Sequence, residues 1–324
     1  MTTAIFNATD DRQHALGRLR RGDSVFHNIT LASAVFVLGL LGAIGVSLVI
    51  GAWPALKAFG FGFLTSQSWN PVTEKFGGLA PIYGTIVTSL IAMVIAVPIG
   101  LGIAVFLTES CPKSLRRSIG TAIELLAGIP SIIFGIWGLF VLAPFLQSTV
   151  QPALIATFEH VPILSSLFAG PPYGIGMLTA SLILAIMVLP FITAVSRDVF
   201  DTVPPVLKEA AYGLGCTRWE VVRNIVIPHT RVGLIGGVML GLGRALGETM
   251  AVTFVIGNAH KISPSLLAPG TTISATIANE FTEAVGDLYT SSLILLGLIL
   301  FVITLIILSA ARTLLWRLEK TEGR

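Results

Sequence analysis

Six long apolar stretches divide this chain, at residues 29–53, 85–107, 125–146, 174–195, 232–257 and 288–311. Each exceeds the roughly 20 residues that an α-helix needs to cross a bilayer core. None alternates apolar with polar positions as a membrane strand does. The pattern predicts an all-α, polytopic membrane protein with six transmembrane helices. Five spans are free of charge apart from edge residues, while the fifth holds Arg244 and Glu248. Pro98 and Pro190 fall inside the second and fourth spans and Pro130 near the start of the third, where a lost backbone donor favours a kink. Kinked, glycine-rich helices suit a protein that moves, although static membrane proteins contain them too.

Composition sharpens this. Hydrophobic residues make up 54% of the 324 and charged residues 11%, less than half the roughly 25% of a soluble domain. A soluble enzyme, a disordered chain and a nucleic-acid binder are poor readings of such a sequence. The placement of its lysines and arginines sets an orientation. Sixteen lie in the N-terminal tail, the second and fourth loops and the C-terminal tail, against three in the first, third and fifth loops. Both termini are therefore predicted to be cytoplasmic. The chain divides into a basic tail (1–28), a transmembrane domain (29–311) with a cytoplasmic loop at 198–231, and a second tail (312–324). The long polar start and the lack of a cleavage site argue for a retained first span rather than a secretory signal. Its basic flank, HALGRLRR, reads either as a short helix on anionic lipid or as a solvated tail.

Candidate metal and nucleotide chemistry is sparse. Cys111 and Cys216 are the two cysteines; both fall in loops predicted to be cytoplasmic, where thiols stay reduced. The five histidines are scattered, and no metal site is expected. A phosphate-cradling loop of the Walker type needs Gly-Lys followed by Ser or Thr, and no lysine here follows a glycine. This chain is expected to be a pore-forming subunit rather than an enzyme, with no cofactor of its own.

The fourth loop reads RDVFDTVPPVLKEAAYGLGCTRWEVVRNIVIPHTR. Thr202 or Asp201 is placed to cap a helix beginning near Pro204 and Pro205. That helix should stop at Gly213 or Gly215. Thr217 with Glu220 has the spacing of a capping box for a second helix, which Pro228 limits. The small residues Ala210, Ala211 and Gly215 would let another protein approach closely, with Glu209 and Arg218 orienting it; the alternative is a hairpin that only seals the base of the bundle. Glu209-Ala210-Ala211, Gly215, Ile225 and Pro228 match the EAA motif, with Ile227 where leucine is usual. On these residues the chain resembles the type I (MetI-like) ABC importer permeases. The resemblance implies that fold and makes this loop the coupling helix that enters a groove on the ATPase.

The fifth span reads RVGLIGGVMLGLGRALGETMAVTFVIGNA. Arg244 lies roughly 20 Å along a helix counted from Arg231, where an arginine costs about 2.5–3.5 kcal/mol to insert. On a helical wheel Gly233, Gly237, Gly241, Arg244 and Glu248 share one face, with the glycines at GxxxG spacing for close packing. Two readings stay open. Arg244 and Glu248 neutralise each other and brace the bundle, or Arg244 offers forked donors to a tetrahedral oxyanion while Glu248 holds it ready. GRALGETMAV at 243–252, ELLAGIPSIIFG at 124–135, SWNPV at 68–72 and FGGLAPIYGT at 76–85 resemble stretches of phosphate permeases. That likeness implies a substrate pathway through Arg244 and Glu248. Glu124 reads as a first-turn carboxylate of the third span or as a further pathway residue. The long third loop, with His160 facing solvent, either docks an external protein or is a passive hairpin.

The resemblance also implies partners: a second homologous permease (PstA-like), an ABC ATPase dimer (PstB-like) that binds ATP and Mg, and an extracytoplasmic phosphate-binding protein (PstS-like), all on a lipid bilayer and without nucleic acid. A permease for molybdate or sulfate, and an ATP-independent secondary transporter, are the rival readings.

Overall fold

The computed structural model describes the backbone of residues 2–322 and the side chains of residues 23–317. Among these the chain is helical, with one isolated antiparallel bridge, between Asn70 and Lys75. Six helices are long and apolar enough to cross a membrane: Asp23–Phe59, Leu79–Ser110, Ser131–Phe158, Met177–Asp201, Arg218–Leu246 and Asp287–Arg317.

The chain divides into two units, Met1–Gly51 and Ala52–Arg324. In the first, the helix from Thr2 presents exposed apolar side chains such as Phe36 (70%) and Leu38 (69%), as a hydrocarbon solvent permits. The basic side chains of the HALGRLRR flank lie outside the described residues.

The second unit is organised around span four. Span two carries a small residue at every fourth position, Gly84, Thr88, Ala92, Ala96, Gly100 and Ala104, and all six are buried. In a bilayer, where helices gain nothing by hiding apolar surface from lipid, such a stripe lets two backbones approach closely. Ile192 and Thr193 of span four meet it at Gly100, with the Thr193 hydroxyl donating to the Gly100 carbonyl at 3.4 Å. Span five packs on span four in the same way. A β-carbon added at Gly233 would lie 2.7 Å from Val199, one at Gly237 2.8 Å from Val195, and one at Gly241 2.9 Å from Val188. The helices run through Pro98 and Pro190 without interruption.

Gly84 has a further role. A β-carbon there would overlap the carbonyl oxygen of Thr271, in the buried segment that precedes the helix Ile273–Glu280. The Ile273 amide donates to Thr85 Oγ1 at 2.9 Å beside it. Gly84→Ala is therefore expected to destabilise the protein by about 1–3 kcal/mol, the usual range for overpacking, because backbone cannot move aside as a side chain can. Thermal unfolding in detergent should show it, with Gly102→Ala as the control, since nothing lies within 4 Å of a β-carbon at that position.

Several expectations need correction. The third span does not begin at 125. An amphipathic helix, Lys113–Ala127, ends before Pro130, and a new helix starts at Ser131, because proline pushes the residue before it out of the helical region. That second helix continues through two π turns to Phe158 and so takes up the start of the third loop. The helix after Thr217 does not stop at Pro228 either. A π turn over Val222–Val226 absorbs the proline, and the helix runs on to Gly247. There span five breaks. Glu248 is extended, with ψ 128°, and a separate short helix begins at Met250.

Candidate functional site

The break in span five puts Arg244 and Glu248 in unlike surroundings. Glu248 is 6% exposed at its side chain, and its Oε1 accepts from the Ala251 amide at 3.4 Å, meeting one of the donors that a helix start leaves open. Arg244 sits in the last turn before the break and is 37% exposed. Its Nη2 lies 3.9 Å from Glu248 Oε2, close enough for ionic attraction and too far for a hydrogen bond. The guanidinium lies over the Phe191 ring, 4.7 Å from its centroid, an arrangement worth about 0.5–2 kcal/mol. Among the described residues it forms no hydrogen bond, so a planar fork of donors stays available. The helix is continuous through Gly247, so the three glycines and Arg244 all meet span four, the glycines at Val199, Val195 and Val188 and Arg244 at Phe191, and the helix ends at Glu248.

Loop four forms one short helix, a glycine bend and the start of the long helix of span five. The short helix is Pro205–Gly213, and Gly215 follows in the left-handed region with φ +87°. Neither expected cap forms. The Thr202 hydroxyl turns back to the Val199 carbonyl, and Asp201 pairs with Arg116. The box at Thr217 does form: its amide donates to Glu220 Oε2 at 2.7 Å, and its Oγ1 accepts from the Glu220 amide at 3.4 Å.

The small residues of the motif separate. Ala211 is buried in an apolar cluster with Ala104, Phe200, Val203, Val221, Val226 and Leu234, while Ala210 and Glu209 are exposed. The surface beside them is apolar in a way sequence reading missed. Val206, Tyr212, Leu214 (87%) and Trp219 project outward, more large apolar side chains than a loop facing only water usually shows. Exposed aromatic residues beside the motif were the signal that could have identified them. Ile225 is half-buried and Pro228 exposed; both line a cavity with Leu207 and His229.

Glu124 does not start a span. It lies in the last turn of the helix Lys113–Ala127, and its Oε1 pairs with Arg197 Nη2 at 2.8 Å. The dipole there opposes a carboxylate, so the arginine accounts for its position. His160 is exposed.

A second polar cluster had no counterpart in the motifs. Glu280 accepts from the Trp69 indole, from Tyr289 Oη at 2.8 Å and from His260 Nε2 at 2.8 Å. Trp69 stacks flat on the His260 ring at 5.0 Å. The cluster ties together the first loop, the fifth loop and the start of span six. Burial by itself would raise the Glu280 carboxyl's pKa, but the bonds from His260, Tyr289 and Trp69 outweigh it and hold the group below its ordinary value. A carboxyl lowered on folding adds stability that is complete above the ordinary carboxylate range and lost as pH falls through the lowered value. Melting curves taken from about pH 6 down to about 2, across and below the ordinary glutamate value of about 4.3, should show this loss, and Glu280→Gln should flatten it.

A family model described as "Binding-protein-dependent transport system inner membrane component" matches residues 96–319. The chain is 69% identical over 312 residues to the "Phosphate transport system permease protein PstC" of Mesorhizobium japonicum, covering 96% of this chain and 95% of that one. A protein of the same description from Pasteurella multocida is 57% identical over 93% of each chain. Among solved structures, a bacterial ABC transporter that imports the acidic polysaccharide alginate matches with TM-score 0.60 at 18% identity, covering 92% of this chain and 96% of that one. An inward-facing form of the MetNI methionine ABC transporter matches with TM-score 0.56 at 17% identity, covering 74% and 94%. At these identities the structural likeness speaks for the fold.

Proposed function

Because the chain belongs to the family of binding-protein-dependent transport system inner membrane components, we propose that it is the permease subunit of an ATP-driven importer of inorganic phosphate. The observation that carries this is the 69% identity over nearly the whole chain to a phosphate transport permease. As a multi-pass membrane protein of the ABC importer family it works with an ATPase and a binding protein. In the proposed complex these are a PstB-like ATPase dimer, which binds ATP and Mg, and a PstS-like phosphate-binding protein, joined by a PstA-like second permease. Both termini and loop four face the cytoplasm, following the sixteen-to-three division of basic residues.

Phosphate passes Arg244. A guanidinium more than one-third exposed, with its donors free and its carboxylate partner 3.9 Å away, supports a site that a tetrahedral anion visits in preference to a closed ion pair. The forked donors match two oxygens of such an anion. Buried Glu248 keeps the net charge of the site low, so that a bound anion can leave again. Loop four presents Glu209, Ala210 and its exposed apolar side chains to the ATPase, while Ala211 anchors the loop from within. ATP-driven closure then pulls on spans four and five from below.

The test is uptake of labelled phosphate by proteoliposomes that hold the assembled transporter, with ATP inside and the binding protein outside. The proposal expects ATP-dependent uptake that excess unlabelled phosphate abolishes and that molybdate and sulfate leave largely intact. Uptake of molybdate or sulfate alone assigns another oxyanion, and accumulation without ATP assigns a secondary transporter.

A further inference from the structure

At the end of the bundle that carries loop four, three acid–base contacts between described residues join different segments. Arg116 pairs with Asp201 at 2.6 Å and Arg197 with Glu124 at 2.8 Å, and in each the carboxylate is at least half open to water. Pairs of that kind contribute little and are screened by salt. The third differs. Lys208 Nζ meets Glu109 Oε1 at 2.6 Å, with the lysine side chain 19% exposed and the glutamate 7%. A carboxylate so enclosed is tolerated because an ammonium is held against it, and removing either partner strands the other.

The positions of the two residues give the pair its meaning. Lys208 lies mid-way along the loop-four helix Pro205–Gly213, directly before Glu209 of the EAA motif. Glu109 lies 99 residues earlier, in the π turn Phe106–Ser110 that ends span two. Beside them Ala104 of span two and Ala211 of the loop-four helix share one apolar cluster. Span two in turn packs along span four through its small-residue stripe. The loop-four helix is thus attached to span two as well as to the two spans that the chain connects it to. A displacement of that helix carries the end of span two with it only while the attachment holds.

We propose that the Lys208–Glu109 pair is the strut through which movement of the loop-four helix reaches span two, so that these are positioning residues for coupling ATP hydrolysis to transport. This rests on the reading of loop four as the surface that docks an ATPase.

The experiment measures phosphate uptake and ATP hydrolysis in the same proteoliposomes, with the complete transporter and its binding protein. Lys208→Gln and Glu109→Gln are expected to lower phosphate moved per ATP by about fivefold or more, within the range of ordinary coupling energies, while the ATPase stays bound and keeps hydrolysing. The reciprocal exchange, Glu109→Lys with Lys208→Glu, is expected to restore the ratio. Should the single variants fail to assemble, Glu109→Met with Lys208→Met fills the space without charge; that variant is expected to assemble and to remain uncoupled. An unchanged ratio in the single variants, a ratio that the exchange leaves lowered, or full coupling in the double methionine variant overturns the proposal. If the unaltered chain retains no ATPase at all, the reading of loop four fails instead, and that result is separate because it precedes any substitution.

Discussion

Arg244→Gln is expected to lower phosphate uptake on the order of 100-fold in a transporter that assembles normally. The side chain lies in an apolar span, carries a charge that costs about 2.5–3.5 kcal/mol to place there, and leaves its hydrogen-bond donors unspent. A hydrogen bond to a charged group contributes about 1.5–3 kcal/mol, or one to two decades in a rate or an affinity. Glutamine keeps a similar length and polarity but neither charge nor fork. Arg244→Lys keeps the charge as a point without the fork and should fall between the two. Size-exclusion chromatography of the complex separates this from the bracing reading. If Arg244→Gln breaks up the complex before transport is measured, the pair holds the bundle together; if the complex is intact and transport is normal, the pathway lies elsewhere.

Gly215→Val should abolish retention of the ATPase during purification while leaving the permease folded. Gly215 has φ +87°, a conformation that costs an L-residue roughly 1–2 kcal/mol and a β-branched residue more. Yet nothing lies within 4 Å of a β-carbon at that position, so the substitution meets no internal clash. Its effects are local, distorting the bend between the loop-four helix and the helix of span five and adding bulk to the surface where Ala210, Tyr212 and Leu214 are exposed. Ala211→Leu acts by another route, since Ala211 is buried against Phe200 and Val226; its cost should appear as a lower melting temperature as well. Comparing the two separates the docking surface of loop four from the side chain that anchors its helix.

Much of this molecule is written in patterns that reach only a few residues along the chain. The six spans follow from hydropathy because the bilayer leaves a long apolar segment few alternatives to a helix. The Thr217–Glu220 box and the stop at Gly213 follow from local hydrogen-bonding rules. The glycines at 233, 237 and 241 announce close packing, and the valines of span four supply it. Pro130 is legible too, but it does more than kink a span: it separates two helices, which puts Glu124 at the tail of an amphipathic helix and not at the head of a span.

Other features depended on contacts across long separations and left no local mark. Nothing near Glu248 in the sequence distinguishes a break from a continuous turn; the fold pins its side chain to the Ala251 amide and leaves Arg244 behind. Ala210 and Ala211 are alike in the motif, and packing against span two and the neighbouring helices puts one outside and the other inside. The Trp69–His260–Glu280–Tyr289 cluster joins residues up to 220 positions apart. A scan for chemistry along the chain passes over each of them singly.

If phosphate passes Arg244, the charged turn of span five meets water, and with it the anion, during the working cycle. Gly247 gives direct access to it: the residue is exposed, one turn from Arg244, with nothing within 4 Å of a β-carbon. With Cys111 and Cys216 replaced by serine, Gly247→Cys in the assembled transporter can be treated with a charged, membrane-impermeant thiol reagent, with and without bound ATP. The thiol should be modified at a rate that changes with the nucleotide state and slows when phosphate is being transported. A thiol that stays inert in both states would mean that the turn is sealed from water and that phosphate takes another route.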